Sequence, residues 1–214
     1  MPTAMPPSDL AEEEEYQEVG AVGIMGTIPT IRIQERFEMK LLSFERCFRE
    51  REQALPYIGG HVEFYFRVAL DGNVRWAYLR NSSLADRETE RCLVDIVRRM
   101  RFPRPRGGGE VEIGWGFDRD PDPEVRAPGE IGARRVKSLV NENAEPIAAC
   151  GIPSSTVTVT AYVAPGGKVV AAGAHASYRG AAEDAVLDCV TETVGGWTLP
   201  DPGSYTGKIS FDLP

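Results

Sequence analysis

Four cysteines are the residues of this sequence whose type and spacing point most directly to covalent chemistry: Cys47, Cys92, Cys150 and Cys189. A large apolar residue and two prolines follow Cys92 and Cys189 at matching distances. Those residues are Phe102, Pro103 and Pro105 after the first, and Leu199, Pro200 and Pro202 after the second. Four cysteines allow three pairings, and this repetition favours the disulfides Cys47–Cys92 and Cys150–Cys189. Since disulfides persist in oxidising compartments, the pairing predicts a periplasmic or cell-surface protein.

Three other interpretations of the cysteines remain open from the sequence alone. They could be reduced and buried as small hydrophobic residues. A metal site is disfavoured because no C-x-x-C spacing exists and His61 and His175 are the only histidines. A catalytic thiol would need a histidine partner that neither position marks.

No other group of residues has the spacing of a catalytic site. Ser82 and Ser83 precede a predicted helix and resemble caps, while His61 begins a predicted strand. The six acids of residues 1–30 form a run typical of a solvated tail. We therefore expect a non-enzymatic protein without a cofactor or metal ion, and an unrecognised enzyme is the less favoured alternative.

The elements around the cysteines form an internal repeat. Residues 61–79 and 156–174 each alternate apolar and polar side chains around a tight turn, at Asp71-Gly72 and Gly166-Gly167. This pattern predicts two β-hairpins. An apolar helical face precedes the first hairpin, and a weaker one, interrupted by Pro146, precedes the second. The residues of these faces are Phe37, Leu41, Phe44 and Phe48, and then Val136, Leu139 and Val140.

Another amphipathic helix and a short strand follow each hairpin, so each copy reads α-β-β-α-β. The sequence predicts an α+β fold of two tandem domains, each with a three-stranded antiparallel sheet and two helices on one face. The predicted organisation is a flexible leader (1–30), a first copy (31–118), a linker (119–130) and a divergent second copy (131–214).

The last strand of each copy should pair on one side only, which leaves an open edge that a partner strand can join by β-augmentation. The predicted edge residues are Val111, Glu112, Ile113, Gly114 and Trp115 in the first copy, and Lys208, Ile209, Ser210 and Phe211 in the second. Two alternatives remain. The edges could face solvent, or they could pair with each other, including between two molecules as a homodimer.

Five arginines lie close together at the end of the predicted helix of the first copy: Arg98, Arg99, Arg101, Arg104 and Arg106. They could contact an anionic lipid surface or nucleic acid. The favoured alternative is a helix C-terminus followed by a solvated loop, because cations there complement the helix dipole. The net charge of −8 disfavours nucleic-acid binding in general. Residues 31–120 carry 17 bases and 15 acids, whereas residues 121–214 carry 7 and 11.

Residues 43–113 closely resemble the C-terminal domain shared by the AgmX and PglI gliding-motility proteins, a domain similar to the C-terminal domain of TonB. The resemblance lies in the Cys47 segment, Gly60, the Asp71-Gly72 turn, "NSSL" (81–84), Cys92 and "RFPRPRGGG" (101–109). Residues 131–213 match more weakly. The glycine-spaced segment 20–28 is similar to the linkers that precede such domains.

The resemblance implies a periplasmic module of a Gram-negative cell envelope. Such a module would receive a peptide strand of an outer-membrane or motility protein and would be driven from the inner membrane in energy transduction. No signal peptide or membrane anchor is visible in the sequence, so we expect either a soluble protein or a segment of a longer anchored one.

Overall fold

A computed structural model describes residues 23–24, 26–152 and 157–213. Most of the predicted leader, four of the nine residues of its glycine-spaced segment, and the first residue of the second predicted hairpin lie outside the described residues. Their predicted roles therefore remain expectations.

The fold is α+β, as the sequence predicted, and its helices and strands follow the same order in both copies. The elements are β1 (Gly23–Ile24), α1 (Thr30–Glu38), α2 (Leu41–Arg49), β2 (Gly60–Val68), β3 (Val74–Ser82), α3 (Arg87–Arg98) and β4 (Glu110–Arg119), then β5 (Gly129–Glu130), a 3-10 turn (Ala133–Val136), α4 (Lys137–Glu142), α5 (Ala144–Ala148), β6 (Val157–Val163), β7 (Val169–Ala176), a 3-10 turn (Arg179–Ala181), α6 (Asp184–Gly195) and β8 (Gly207–Asp212).

Each sheet contains one short strand that the sequence did not predict. The strand orders are β1-β4-β2-β3 and β5-β8-β6-β7, so the expected three-stranded sheets have four strands. Gly23–Ile24 runs antiparallel to the start of β4, and Gly129–Glu130 runs parallel to the start of β8. Two residues are too few to produce an alternating pattern, which is why the sequence did not reveal these strands.

The hairpin turns explain why the apolar-proline motif recurs after Cys92 and Cys189. Gly72 and Gly167 have φ near +87° and +86°, a conformation that favours glycine. A Cβ on either glycine would overlap the carbonyl oxygen of Phe102 or Leu199. The amides of Phe102 and Leu199 in turn donate to the turn carbonyls at 2.8 Å in both copies. The motif therefore holds the chain that follows each helix against the hairpin tip.

The helix predicted through Phe37, Leu41, Phe44 and Phe48 is two helices, α1 and α2. The chain turns at Met39 and Lys40, and Leu41 is 53% exposed instead of buried. The break lets the aromatic residues on either side contact β4, with Phe37 stacked on Trp115 at 3.6 Å and Phe44 near Phe117. In the second copy the helices α4 and α5 meet at Asn143, close to the interruption predicted at Pro146.

Both predicted disulfides are present, and none of the described cysteines is a free thiol. Cys47–Cys92 joins α2 to α3 with a Cα–Cα distance of 5.8 Å, and Cys150–Cys189 joins the end of α5 to α6 at 5.6 Å. Each bond links two helices that pack on the same face of a sheet. In the first copy that face presents the buried side chains Val62, Phe64, Phe66 and Val68.

Candidate functional site

The second copy packs its sheet directly against the first copy. The face of β6, β7 and β8 opposite its own helices carries Tyr162, whose ring lies 4.8 Å from that of Tyr57. Lys208 Nζ on the same face donates to the carbonyl of Gly59 at 2.9 Å. Burial lowers the pKa of Lys208 to about 8. The predicted edge residue Lys208 is therefore already engaged between the copies.

Ion pairs between α3 and α6 bridge the two copies, with the cations on the first and the carboxylates on the second. Arg87 donates to Asp188 at 2.8 Å and to Asp184 at 2.9 Å. Arg98 also pairs with Asp184, and Arg91 pairs with Asp188. The uneven charge of the two sequence halves is thus complementary across this interface. Arg98, which the sequence analysis placed in an anion-contacting run, lies within it.

Glu90 lies at the centre of the contact and is fully buried. Its carboxylate accepts hydrogen bonds from Ser82 Oγ at 2.7 Å and from the backbone N–H of Ala174 at 2.9 Å. Burial raises its pKa to about 7, and the two hydrogen bonds and the charge of Arg87 only partly oppose this effect. A Cβ on Gly173 would overlap this carboxylate, so glycine there permits the close approach.

The contact between copies brings β3 close to β7 and leaves the outer sides of β4 and β8 away from each other. Within the described residues, the only strands paired with those outer sides are β1 and β5. The alternative in which the two last strands pair with each other within one chain therefore does not occur.

Among the described residues, no strand pairs with the outer side of β4 beyond Val111, which pairs with Gly23. Ser83 N–H donates to the His61 carbonyl, so the backbone of His61 faces β3 and that of Val62 faces β4. The β2–β4 register then directs the amides and carbonyls of Glu112, Gly114 and Gly116 outward. The predicted edge residues Ile113 and Trp115 instead turn their backbones toward β2 and their side chains toward the helices.

The open part of the β8 edge is Ser210 and Asp212. Leu213 N–H donates to Val157 O, which places the odd-numbered residues of β8 in the ladder with β6. The carbonyl of Lys208 faces the other way and accepts from Ile131 N–H at 2.8 Å. Beyond it, the same alternation turns Ser210 and Asp212 outward. The predicted edge residues Ile209 and Phe211 are buried beneath the helices.

A groove of about 600 Å³ runs beside this open edge, between β8 and the segment that ends in α4. Its apolar wall consists of Val136, Val140, Phe211 and Leu213. Two exposed cations, Arg134 and Lys137, lie at its rim, together with Asp212. The groove can therefore receive apolar side chains from a strand added to β8.

Four of the five predicted surface arginines are exposed in the segment after α3: Arg99, Arg101, Arg104 and Arg106. Within the described part of the chain, none of them lies within ion-pair distance of a carboxylate. Hydrogen bonds with Asn73 chiefly lower the pKa of Asp71, and Arg101 makes a smaller contribution. Of the five predicted arginines, Arg98 therefore lies in the interface between the copies, and the other four lie in a solvent-facing segment.

The sequence analysis did not identify Glu90, Arg87 or Asp184 as interface residues. A glutamate near the start of a helix is usually solvated, and a single charge gives no sign of what covers it. The only available signal was the opposite charge balance of the two halves.

No known family model, curated protein or solved structure matches the chain. In the part of the chain that the structure describes, no helix is long and apolar enough to span a membrane.

Proposed function

We propose that this chain is a non-enzymatic, periplasmic protein-binding module of the cell envelope that captures an extended segment of a partner by β-augmentation. The observation that carries the proposal is the open β8 edge, where Ser210 and Asp212 turn backbone groups outward beside an apolar groove. A partner strand would satisfy these groups and place alternate side chains in the groove.

The chemistry of the groove defines the segment that it would accept. Val136, Val140 and Phe211 favour apolar side chains at alternate positions. Arg134 and Lys137 at the rim favour acidic residues. The β4 edge offers a second acceptor at Glu112, Gly114 and Gly116, beside the aromatic pair Phe37 and Trp115.

Two features support the proposed location and family. The two disulfides are typical of proteins outside the reducing cytoplasm. After its short first strand, each copy follows the helix, hairpin, helix and strand order expected of a TonB-C-like domain, with the first helix in two parts. We infer that the partner is an envelope or outer-membrane protein and that both copies are TonB-C-like domains.

Proline and alanine substitutions at the open edges test the proposal. Ser210→Pro removes an outward N–H and leaves the ladder with β6 intact, whereas Ser210→Ala keeps that N–H. Gly114→Pro and Gly114→Ala form the same pair on β4. Each protein would be used to capture partners from solubilised envelopes of the source organism, followed by amide hydrogen exchange on the isolated complex.

We expect at least one proline variant to lose a partner that its alanine control retains, and we expect the bound partner to protect the amides of Ser210 and Asp212 or of Gly114. Equal capture by all four variants, or complexes without edge protection, would overturn the proposal.

A structural spacer is the second candidate, and the extensive contact between the copies favours it. Arg87, Glu90 and Lys208 fasten the two copies together, as a spacer would require. A complex that survives all the edge substitutions but fails when the interface is disrupted would support this function instead.

A further inference from the structure

The segment after α3 in the first copy has an internal control in the second copy, because both segments begin with the same two backbone contacts, although Arg106 also bridges Thr27 whereas the amide of the equivalent Gly203 donates to Asp201. Arg101 forms a β-bridge with Asn73, and the equivalent Thr198 forms one with Lys168. The following residues, Phe102 and Leu199, both donate to a turn glycine at 2.8 Å. The two segments can therefore be compared position by position.

The comparison shows that the arginines are not needed for the fold of this segment. Counting from Cys92 and Cys189, Arg99, Arg101, Arg104 and Arg106 correspond to Gly196, Thr198, Asp201 and Gly203. The second copy makes the same turn and the same bridge with no cation at any of these positions. A helix-dipole or loop-stabilising role thus does not account for four exposed arginines in the first copy.

An apolar side chain accompanies these charges. Leu70 lies at the tip of the β2–β3 hairpin, two residues before the glycine that accepts from Phe102, and is 53% exposed. The equivalent residue of the second copy is Pro165. Asp71 is an acidic residue beside the arginines, and its carboxylate accepts hydrogen bonds from the backbone amide and the side-chain amide of Asn73. One end of the first copy therefore combines a projecting leucine with four exposed cations that form no ion pair with any residue of the described ranges.

We propose that this end of the first copy, formed by Arg99, Arg101, Arg104, Arg106 and Leu70, docks on an anionic lipid surface. Basic residues next to an apolar side chain suit a bilayer, because the cations meet the headgroups while the leucine enters the interface. Nucleic acid does not fit as well, since the disulfides are typical of compartments that lack it.

Sedimentation with vesicles tests this surface independently of peptide capture. The full chain would be mixed with vesicles of phosphatidylcholine alone or with added phosphatidylglycerol, at low and at high salt. We expect binding only to the anionic vesicles, and weaker binding in high salt because the charges are screened.

Four variants define the contribution of the surface. Replacing the four arginines by serine should lower partitioning by roughly 10²- to 10³-fold, since each basic residue near an anionic membrane contributes about fivefold. Replacing them by lysine should retain most of the binding. Leu70→Ser should lower partitioning by about tenfold. The control replaces four exposed arginines elsewhere by serine, namely Arg32, Arg46, Arg49 and Arg135, and should bind nearly as well as the parent.

Equal loss in the control and in the four-serine variant would show that only net charge matters and would overturn the proposal. Equal binding to neutral vesicles would overturn it too. Retention of duplex DNA without retention on vesicles would assign the surface to nucleic acid instead. Circular dichroism would verify the fold of the serine variant, and the lysine variant distinguishes loss of charge from loss of structure.

Discussion

The buried carboxyl group of Glu90 should make the stability of this chain depend on pH. In the unfolded chain its pKa is near the ordinary value of 4.5, whereas burial raises it to about 7 in the folded chain. The folded state therefore binds the proton more tightly. This contribution to the free energy of unfolding is fully present below the unfolded pKa and is lost as the pH rises through about 7. At about 1.4 kcal/mol per pKa unit, the loss is about 3 kcal/mol.

Other titratable groups near Glu90 have to be separated from it. Desolvation lowers the pKa of His175, so the stability contributed by this group rises with pH across the same range. Lys208, whose pKa is lowered to about 8, acts in the same direction at higher pH. The difference between the parent and Glu90→Gln isolates the carboxyl group, because glutamine resembles its protonated form.

Urea unfolding of both proteins, with disulfides intact, should be measured between about pH 5 and pH 8. We expect the parent to lose stability relative to Glu90→Gln as the pH rises through 7. A carbon NMR titration of the Glu90 carboxyl should show a midpoint well above that of an exposed glutamate. The raised pKa of Glu90 would be refuted if the free energies of unfolding of the two proteins changed in parallel with pH and the Glu90 carboxyl titrated like that of an exposed glutamate.

Two further predictions concern covalent and steric features. Replacing Cys47 and Cys92 by alanine opens a 45-residue loop and should lower the free energy of unfolding, measured in urea, by about 4 kcal/mol. Opening the 39-residue loop of Cys150–Cys189 in the same way should cost nearly as much. A loss below about 1 kcal/mol would contradict the loop-entropy account. Gly173→Val should cost about 1 to 3 kcal/mol and increase amide exchange across β7, because its side chain would overlap Glu90. Gly195→Ala in α6 is the matched control, because a Cβ at this position meets no atom within 4 Å. This substitution should stabilise the helix by up to about 1 kcal/mol. Equal effects of the two substitutions on stability would contradict the steric explanation.

The features that the sequence predicted best are those imposed by local geometry. Gly72 and Gly167 mark turns that require positive φ, and the alternation on either side of them follows directly from the strand period. Cysteines at equivalent places in two copies restrict the disulfide pairing without any knowledge of the fold. The class of the fold and both disulfides could therefore be inferred from residues alone.

Features that depend on packing between distant segments could not be predicted in this way. Leu41 fits a continuous helical stripe, but the aromatic contacts of Phe37 and Phe44 with β4 favour a break beside it. Gly173 gives no sign, within a strand of small residues, that a glutamate of the other copy covers it. The open edges were predicted, but which residues turn outward on them depends on the register.

The two proposed surfaces lie on different copies. The second copy reaches the start of β2 through the contact of Lys208 with Gly59, whereas the arginine segment joins the hairpin at Asn73, beyond the end of β2. At about 3.4 Å per residue, the nine residues of β2 separate these points by about 27 Å. This distance separates the Lys208 contact from the arginine segment, and the second copy also contacts Arg98, beside that segment, through Asp184. We propose that the divergence between the copies gives them different tasks, since the first carries exposed cations and Leu70 and the second carries the apolar groove.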